Sequence, residues 1–236
     1  MTTDLKHGDC AKLLKEIPDK SVDLILTDPP YVFHNSGGGQ SAVGQRTVTL
    51  KNNITFMSDG FDYDQIFSEF MRVCKIPNML IFCSNAQISS IMGWFERQDG
   101  VVVTLLEWVK RNPIPTHNGN YLSDVEYCVF VRGKGATFNN DVPYEYKRKA
   151  YIDSLVPSQN RYHPAQKPLV LLERYLSVHS VEGQTVLDPF MGSGSTGVAC
   201  AVLNRNFIGM EIDDNYFKVA TGRINRENTK VSSKLF

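Results

Sequence analysis

The chain has 236 residues, 42% hydrophobic and 21% charged, with 25 Lys and Arg against 25 Asp and Glu. That length allows one large α/β domain or at most two small ones, and the zero net charge excludes a global basic field, so a nucleic-acid partner would have to meet a local patch. Five scattered cysteines without a CxxC pair exclude a disulfide framework, and with no apolar leader or membrane-length apolar run the expectation is a cytoplasmic chain that does not enter a membrane.

Residues 3–9 resemble a short strand running into a turn at Gly8-Asp9, and residues 10–17 have helical spacing that Pro18 ends. Leu24, Ile25 and Leu26 read as a buried strand, too short and too uniformly apolar for a helix. The strand stops at Asp28-Pro29-Pro30-Tyr31, because the prolines lack an N–H and fix φ near −65°. Asp28 and Tyr31 would thus sit on a stiff turn at a strand's carboxyl end, where open α/β sheets bind ligands. A carboxylate, exposed backbone carbonyls and a flat ring suit an amino group on a planar base. The same stretch is equally readable as an ordinary Pro-Pro turn with Tyr31 on the surface.

A polar segment follows, and residues 32–60, with Gly37-Gly38-Gly39, are expected to form a mobile lid loop. Residues 62–75 form an amphipathic helix with an aromatic core face, 78–84 a buried strand, and 86–98 another helix. Residues 101–109 and 125–131 are strands. From Trp108 to Arg161 there are eight Lys and Arg against five Asp and Glu, and Lys147-Arg148-Lys149 stands among Tyr144, Tyr146 and Tyr151. Basic residues interleaved with aromatics grip phosphates and stack on bases, although a solvated loop has the same composition. The weakly periodic stretch 133–162 is the expected target-recognition insert. Order returns at Pro168 with a helix, then strand 184–188, helix 194–204, strand 206–211 and a last helix over 213–228.

The segment 185–213 is a strand, a glycine turn, a helix and a second strand ending in acids. A P-loop would need a lysine before Ser195-Thr196, and none is there. Gly192, Gly194 and Gly197 fit the dinucleotide spacing GxGxxG, but Asp188 before them puts a carboxylate where a pyrophosphate would be repelled. A carboxylate there suits an ammonium group, and Glu211 at the end of the next strand suits a ribose hydroxyl pair. S-adenosylmethionine has both groups and no phosphate.

DPPY (28–31) with DPFMGSGS (188–195) resembles the S-adenosylmethionine-dependent amino-methyltransferases of DNA, and in particular their beta group, in which the catalytic motif precedes the cofactor motif. GDC (8–10), WVKRNP (108–113), VEYCVF, HPAQKP (163–168) and GMEIDDNYFKVATGRI (209–224) fall in that group's order, so the likeness spans most of the chain. It implies a Rossmann-like methyltransferase fold: one α/β domain over 1–236, a mostly parallel central sheet with helices on both faces, and a circularly permuted motif order. It implies that Asp28 and the Pro29 carbonyl, on the turn completed by Pro30, accept from the target amino group while Tyr31 stacks on the flipped base. Phe190, Gly192 and Gly194 would meet the methionine part of the cofactor, Glu211 the ribose, and Asp9 with Cys10 the adenine edge, with His163 and Lys167 lining the same pocket.

The partner implied is double-stranded DNA, with Lys110, Arg111, Lys147, Arg148 and Lys149 as phosphate contacts and no metal required. DPPY is typical of adenine N6 methylation, whereas similar cytosine-N4 enzymes more often begin the motif with Ser. A cytosine-N4 enzyme, an RNA enzyme, an oxidoreductase resting on GSGSTG, and a non-catalytic DNA-binding subunit are the alternatives. Members of the group often form homodimers, on which the composition is silent.

Overall fold

In a computed structural model the described residues are 1–30, 62–113, 121–163 and 165–233. The catalytic-motif residue Tyr31 and the expected lid over 32–60 lie outside them. Eight strands form one sheet: β1 (Thr3–His7), β2 (Leu24–Thr27), β3 (Asn78–Cys83), β4 (Val101–Lys110), β5 (Val125–Gly133), β6 (Ala150–Asp153), β7 (Thr185–Asp188) and β8 (Asn206–Glu211), in the order β1-β8-β7-β2-β3-β5-β4-β6. Every pairing is parallel except those of β5, which runs against both β3 and β4.

The helices are α1 (Cys10–Leu13), α2 (Tyr63–Val73), α3 (Ile88–Glu96), α4 (Leu169–His179), α5 (Ser195–Val202) and α6 (Asp214–Ser233). They cover both faces, which is why β2 and β3 are apolar without alternation: every residue of each strand is buried. Successive strand residues serve opposite cores. Leu24, Leu26, Leu80 and Phe82 pack with Leu172, Tyr175 and Val198 from α4 and α5, while Ile25, Met79 and Ile81 pack with Phe67, Phe70 and Phe95 from α2 and α3. The mostly parallel, doubly covered sheet expected from the sequence is therefore present.

Local chemistry fixes the ends of these elements. Asp62 caps α2 by accepting from the Gln65 amide at 3.1 Å, and Asp9 caps α1 by accepting from the Ala11 amide at 2.9 Å. Gly197 sits where α5 presses on α6 and β8: a Cβ there would lie 2.4 Å from Ile224 Cδ1 and 2.6 Å from Phe207 Cε1. The third glycine of GSGSTG therefore serves helix packing.

Two elements differ from the sequence reading. The first helix is a single turn that tightens into a 3-10 turn over Leu14–Glu16 before Pro18. Within 133–162, Ala150–Asp153 forms a strand parallel to β4, with Ala150 beside Glu107 and Asp153 beside Lys110. Four residues at a sheet edge carry too little pattern to be seen in advance. Among the described residues no helix is long and apolar enough to cross a membrane.

Candidate active site

β1, β8, β7 and β2 are adjacent and parallel, so their carboxyl ends open on one edge of the sheet. Each brings an acid to that edge: Asp9 two residues past β1, Glu211 closing β8, Asp188 closing β7, and Asp28 directly after β2. Because β5 is reversed, its beginning lies at the same edge and adds Glu126, paired in register with Trp108 of β4.

The two motifs meet through neighbouring strand ends. Thr27 Oγ1 donates to Asp188 Oδ1 at 2.7 Å across 161 residues of sequence, placing Asp28 beside the glycine turn. Asp188 is only 3% exposed and also accepts from the Phe190 amide at 3.2 Å and from the Thr196 hydroxyl. Burial pushes its carboxyl up to about 6, a rise that the three hydrogen bonds only partly offset.

Glu211 holds the far side of the turn. Its Oε2 accepts from the Gly192 amide at 2.9 Å and its Oε1 from the Asp213 amide at 2.8 Å; burial raises its carboxyl above the ordinary range. Gly194 has φ +78°, and a Cβ on it would lie 2.8 Å from Ala220 Cβ, so the turn requires glycine there. The Gly8 amide donates to the Glu211 carbonyl at 2.9 Å, which brings Asp9 and Cys10 to the same edge. Burial, with help from the Asp9 charge, pushes the Cys10 thiol up to about 12, so it is a neutral, apolar-like wall at neutral pH.

HPAQKP contributes two different groups. His163 packs its ring 4.4 Å from that of Tyr216 and within 4 Å of where a Gly192 Cβ would stand. Burial, reinforced by the Lys167 charge, lowers it to about 4, so the imidazole is neutral. Its Nδ1 accepts from the Ala165 amide at 3.1 Å, which leaves the proton on Nε2. Lys167, 6% exposed, donates to Asp28 Oδ2, lies 3.2 Å from Glu126 Oε2, and stands 4.8 Å from the centroid of Phe82. Lys110 Nζ pairs with the other Glu126 oxygen at 2.9 Å. Asp28, Lys167, Glu126 and Lys110 thus alternate in charge. Burial alone would raise Glu126, but the two ammonium groups, Lys167 foremost, hold it below the ordinary range, and Asp28 and Glu126 hold Lys167 above its own.

Pro29 is buried and Pro30 half-buried; Gln87, 3% exposed, donates to the Pro30 carbonyl at 3.1 Å and fixes the turn from outside. Gln87, Thr27 and Glu126 were not foreseen. Glu126 within VEYCVF reads as a solvent-facing strand residue, and only the reversed direction of β5 aims it at Lys167. Of the expected phosphate contacts, Arg111, Arg148 and Lys149 are exposed and Lys147 is half-buried, whereas the Lys110 side chain is 8% exposed and faces Glu126.

The buried carboxylates, neutral imidazole and glycine turn fit S-adenosylmethionine better than a phosphate cofactor; Arg223 of α6 reaches the turn but donates to the Ser193 carbonyl at 2.6 Å and to the Ser193 and Ser195 hydroxyls. Among the described residues no group of three His, Cys, Asp or Glu side chains could hold a metal ion.

A family profile described as DNA methylase matches residues 22–222. The type II methyltransferase M2.LlaDCHI of Lactococcus lactis subsp. cremoris is 30% identical over 244 residues, covering 95% of this chain and 90% of its own. The crystal structure of the M1.HpyAVI–SAM complex superposes with a TM-score of 0.70 at 31% identity, covering 94% of this chain and all of that one. The cytosine-N4-specific PvuII DNA methyltransferase shares the fold, with a TM-score of 0.71 at 14% identity over 99% of this chain and 93% of its own. With Asp28–Pro30 and the 188–195 turn at one sheet edge, the chain belongs to the DNA methylase family of S-adenosylmethionine-dependent amino-methyltransferases.

Proposed function

We propose that the chain methylates the N6 amino group of adenine in double-stranded DNA. The observation that supports this most is Asp28 opening DPPY at the end of β2, tied through Thr27 to Asp188. An exocyclic amine shares its lone pair with the ring and is a poor nucleophile. Asp28 and the Pro29 carbonyl, accepting its two hydrogens, favour a tetrahedral nitrogen whose lone pair is free to attack. Holding that geometry supplies most of the rate.

The cofactor supplies an electrophilic methyl group. Around it, Glu211 takes the ribose, the 190–194 turn and Asp188 take the methionine end, Asp9 and Cys10 take the adenine edge, and His163 closes the wall. A target base inside a duplex must be flipped out at a cost of a few kcal/mol, of which stacking on Tyr31 would return about 1–3 kcal/mol.

Lys167 adds a competition to this scheme. Its ammonium occupies an Asp28 oxygen that the target amine needs, and Glu126 offers it a second carboxylate. Lys167 therefore yields Asp28 to the amine by leaning on Glu126. Arg111, Lys147, Arg148 and Lys149 hold the DNA backbone, the 133–162 insert selects the target, and a second copy of the chain extends this short recognition surface.

The test is transfer of a labelled methyl group from S-adenosylmethionine to unmethylated duplex DNA, followed by nucleoside mass spectrometry. N6-methyladenine is expected; N4-methylcytosine would overturn the assignment of the base. Asp28→Ala should abolish transfer and retain cofactor binding, and normal turnover by that variant would refute the mechanism.

A further inference from the structure

Away from the strand ends, a cavity of about 220 Å³ lies between α4, the β4–β5 face and the 146–149 segment. None of Asp28, Glu126, Lys167 or Glu211 lines it. Five cations do, Arg132, Lys147, Arg148, Lys149 and Arg174, and no Asp or Glu is among the described residues around it.

Arg174 is the unusual member. It is 1% exposed, and no carboxylate among the described residues pairs with it. Its Nε donates to the Tyr146 carbonyl at 3.0 Å, its Nη2 donates to the Arg148 carbonyl, and its guanidinium lies 4.6 Å from the centroid of Tyr151. Nη1 has no hydrogen-bond partner among the described residues. Two other buried atoms of the same wall, Tyr175 Oη and His179 Nδ1, also lack one. Buried polar groups are almost always satisfied, and a buried charge without a counter-charge is costly. A buried guanidinium without a paired carboxylate, beside a cavity lined by four further cations, favours an anion there.

The dimensions limit what that acceptor is. The volume is below that of sites for drug-sized ligands and well above that of one water. Between the apolar walls Leu106, Phe130 and Val178, the cations are the charged features that fix orientation. Arg132 stands exposed at the mouth, 5.9 Å over the Phe138 ring.

We propose that this cavity binds a small free oxyanion of the phosphate class, with Arg174 as its buried counter-charge and Arg132 at its entrance. Methyl transfer needs no phosphate, so this is a site separate from the reaction.

Inorganic phosphate titrated calorimetrically into the whole protein, in chloride buffer at constant ionic strength, should bind saturably at one site, be displaced by sulfate and raise the melting temperature. Arg132→Gln, at an exposed position, should melt as the parent does without phosphate and bind phosphate on the order of tenfold more weakly. Arg174→Leu should not bind it; if that variant fails to fold, the Arg132 variant decides alone. Saturable binding must also survive prior saturation with a duplex oligonucleotide. Absence of saturable binding, binding unchanged in Arg132→Gln, or loss of binding in the duplex complex would each overturn the proposal.

Discussion

Lys167 donates to Asp28, the acid that begins the catalytic motif, from a position 139 residues later in the chain. Its ammonium is also 3.2 Å from Glu126, so one buried cation holds two carboxylates together. Lys167→Met would leave both carboxylates at a buried edge with only Lys110 beside them. Breaking a buried ion pair costs about 3–5 kcal/mol, which for a chain of this size lowers the melting temperature by on the order of 10 °C. The pH response should differ as well. In the parent the folded state holds Lys167 above its ordinary value, so that stability is fully present below about pH 10 and lost only in stronger base. In the variant, protonating a stranded carboxylate favours the folded state, so stability should fall as pH rises. Thermal melts of both proteins at pH 6 and pH 8 check this: the melting-temperature gap between parent and variant should widen as the pH rises, because every other titrating group is common to the two.

Glu126→Gln tests the second berth. The amide keeps the shape and removes the charge that lets Lys167 leave Asp28, so the target amine must compete with a more tightly held ammonium. KM for DNA should rise about tenfold, the equivalent of roughly 1.4 kcal/mol, while the dissociation constant for S-adenosylmethionine stays within about twofold, the cofactor being held by the 188–194 turn and Glu211. Equal losses in both affinities would show Glu126 to be a general structural support instead. Initial rates against duplex concentration, with cofactor binding measured separately, give the two numbers.

The sheet and both motifs were legible because they rest on local pattern. Leu24–Leu26 and Met79–Cys83 are buried on both faces and show it as unbroken apolar runs, and the prolines and glycines of 28–31 and 188–195 punctuate strand ends. What was not legible depends on strand direction. Glu126 serves the site because β5 is antiparallel, and the same reversal brings it to Lys110, turning inward a lysine that the sequence suggested for phosphate. The Thr27–Asp188 bond joins ordinary-looking residues from neighbouring strands, and the four-residue β6 has too short a period to detect.

Gly197→Ala isolates a packing constraint from the cofactor turn. Its Cβ would lie within 3 Å of both Ile224 and Phe207, so α5 must shift or the side chains must leave their rotamers. Overpacking of this kind costs about 1–3 kcal/mol, a drop of roughly 2–12 °C in melting temperature. Adding Ile224→Val, which removes the Cδ1 methyl involved in the closest approach, should recover part of that loss. An additive double variant would show that the clash is relieved elsewhere.

Asp188→Asn separates what this residue does for the fold from what it does for the cofactor. Thr27 Oγ1 and the Phe190 amide both donate to Oδ1, so an asparagine carbonyl can keep both bonds, while its amide can donate to the Thr196 hydroxyl. The substitution removes only the buried charge. With its carboxyl moved from 3.8 to about 6 in the folded state, the native chain binds more protons than the unfolded chain between those values, so stability falls as pH rises through that window. The full penalty, about 3 kcal/mol, is present above pH 6. The asparagine variant should therefore melt higher than the parent at pH 8, and the two should converge near pH 4. Cofactor binding should move the other way. An ammonium placed near Asp188 relieves the buried charge in the parent and finds none in the variant, so S-adenosylmethionine should raise the melting temperature less in Asp188→Asn at pH 8. An equal rise in both would remove Asp188 from the cofactor site and leave it as the link between β2 and β7.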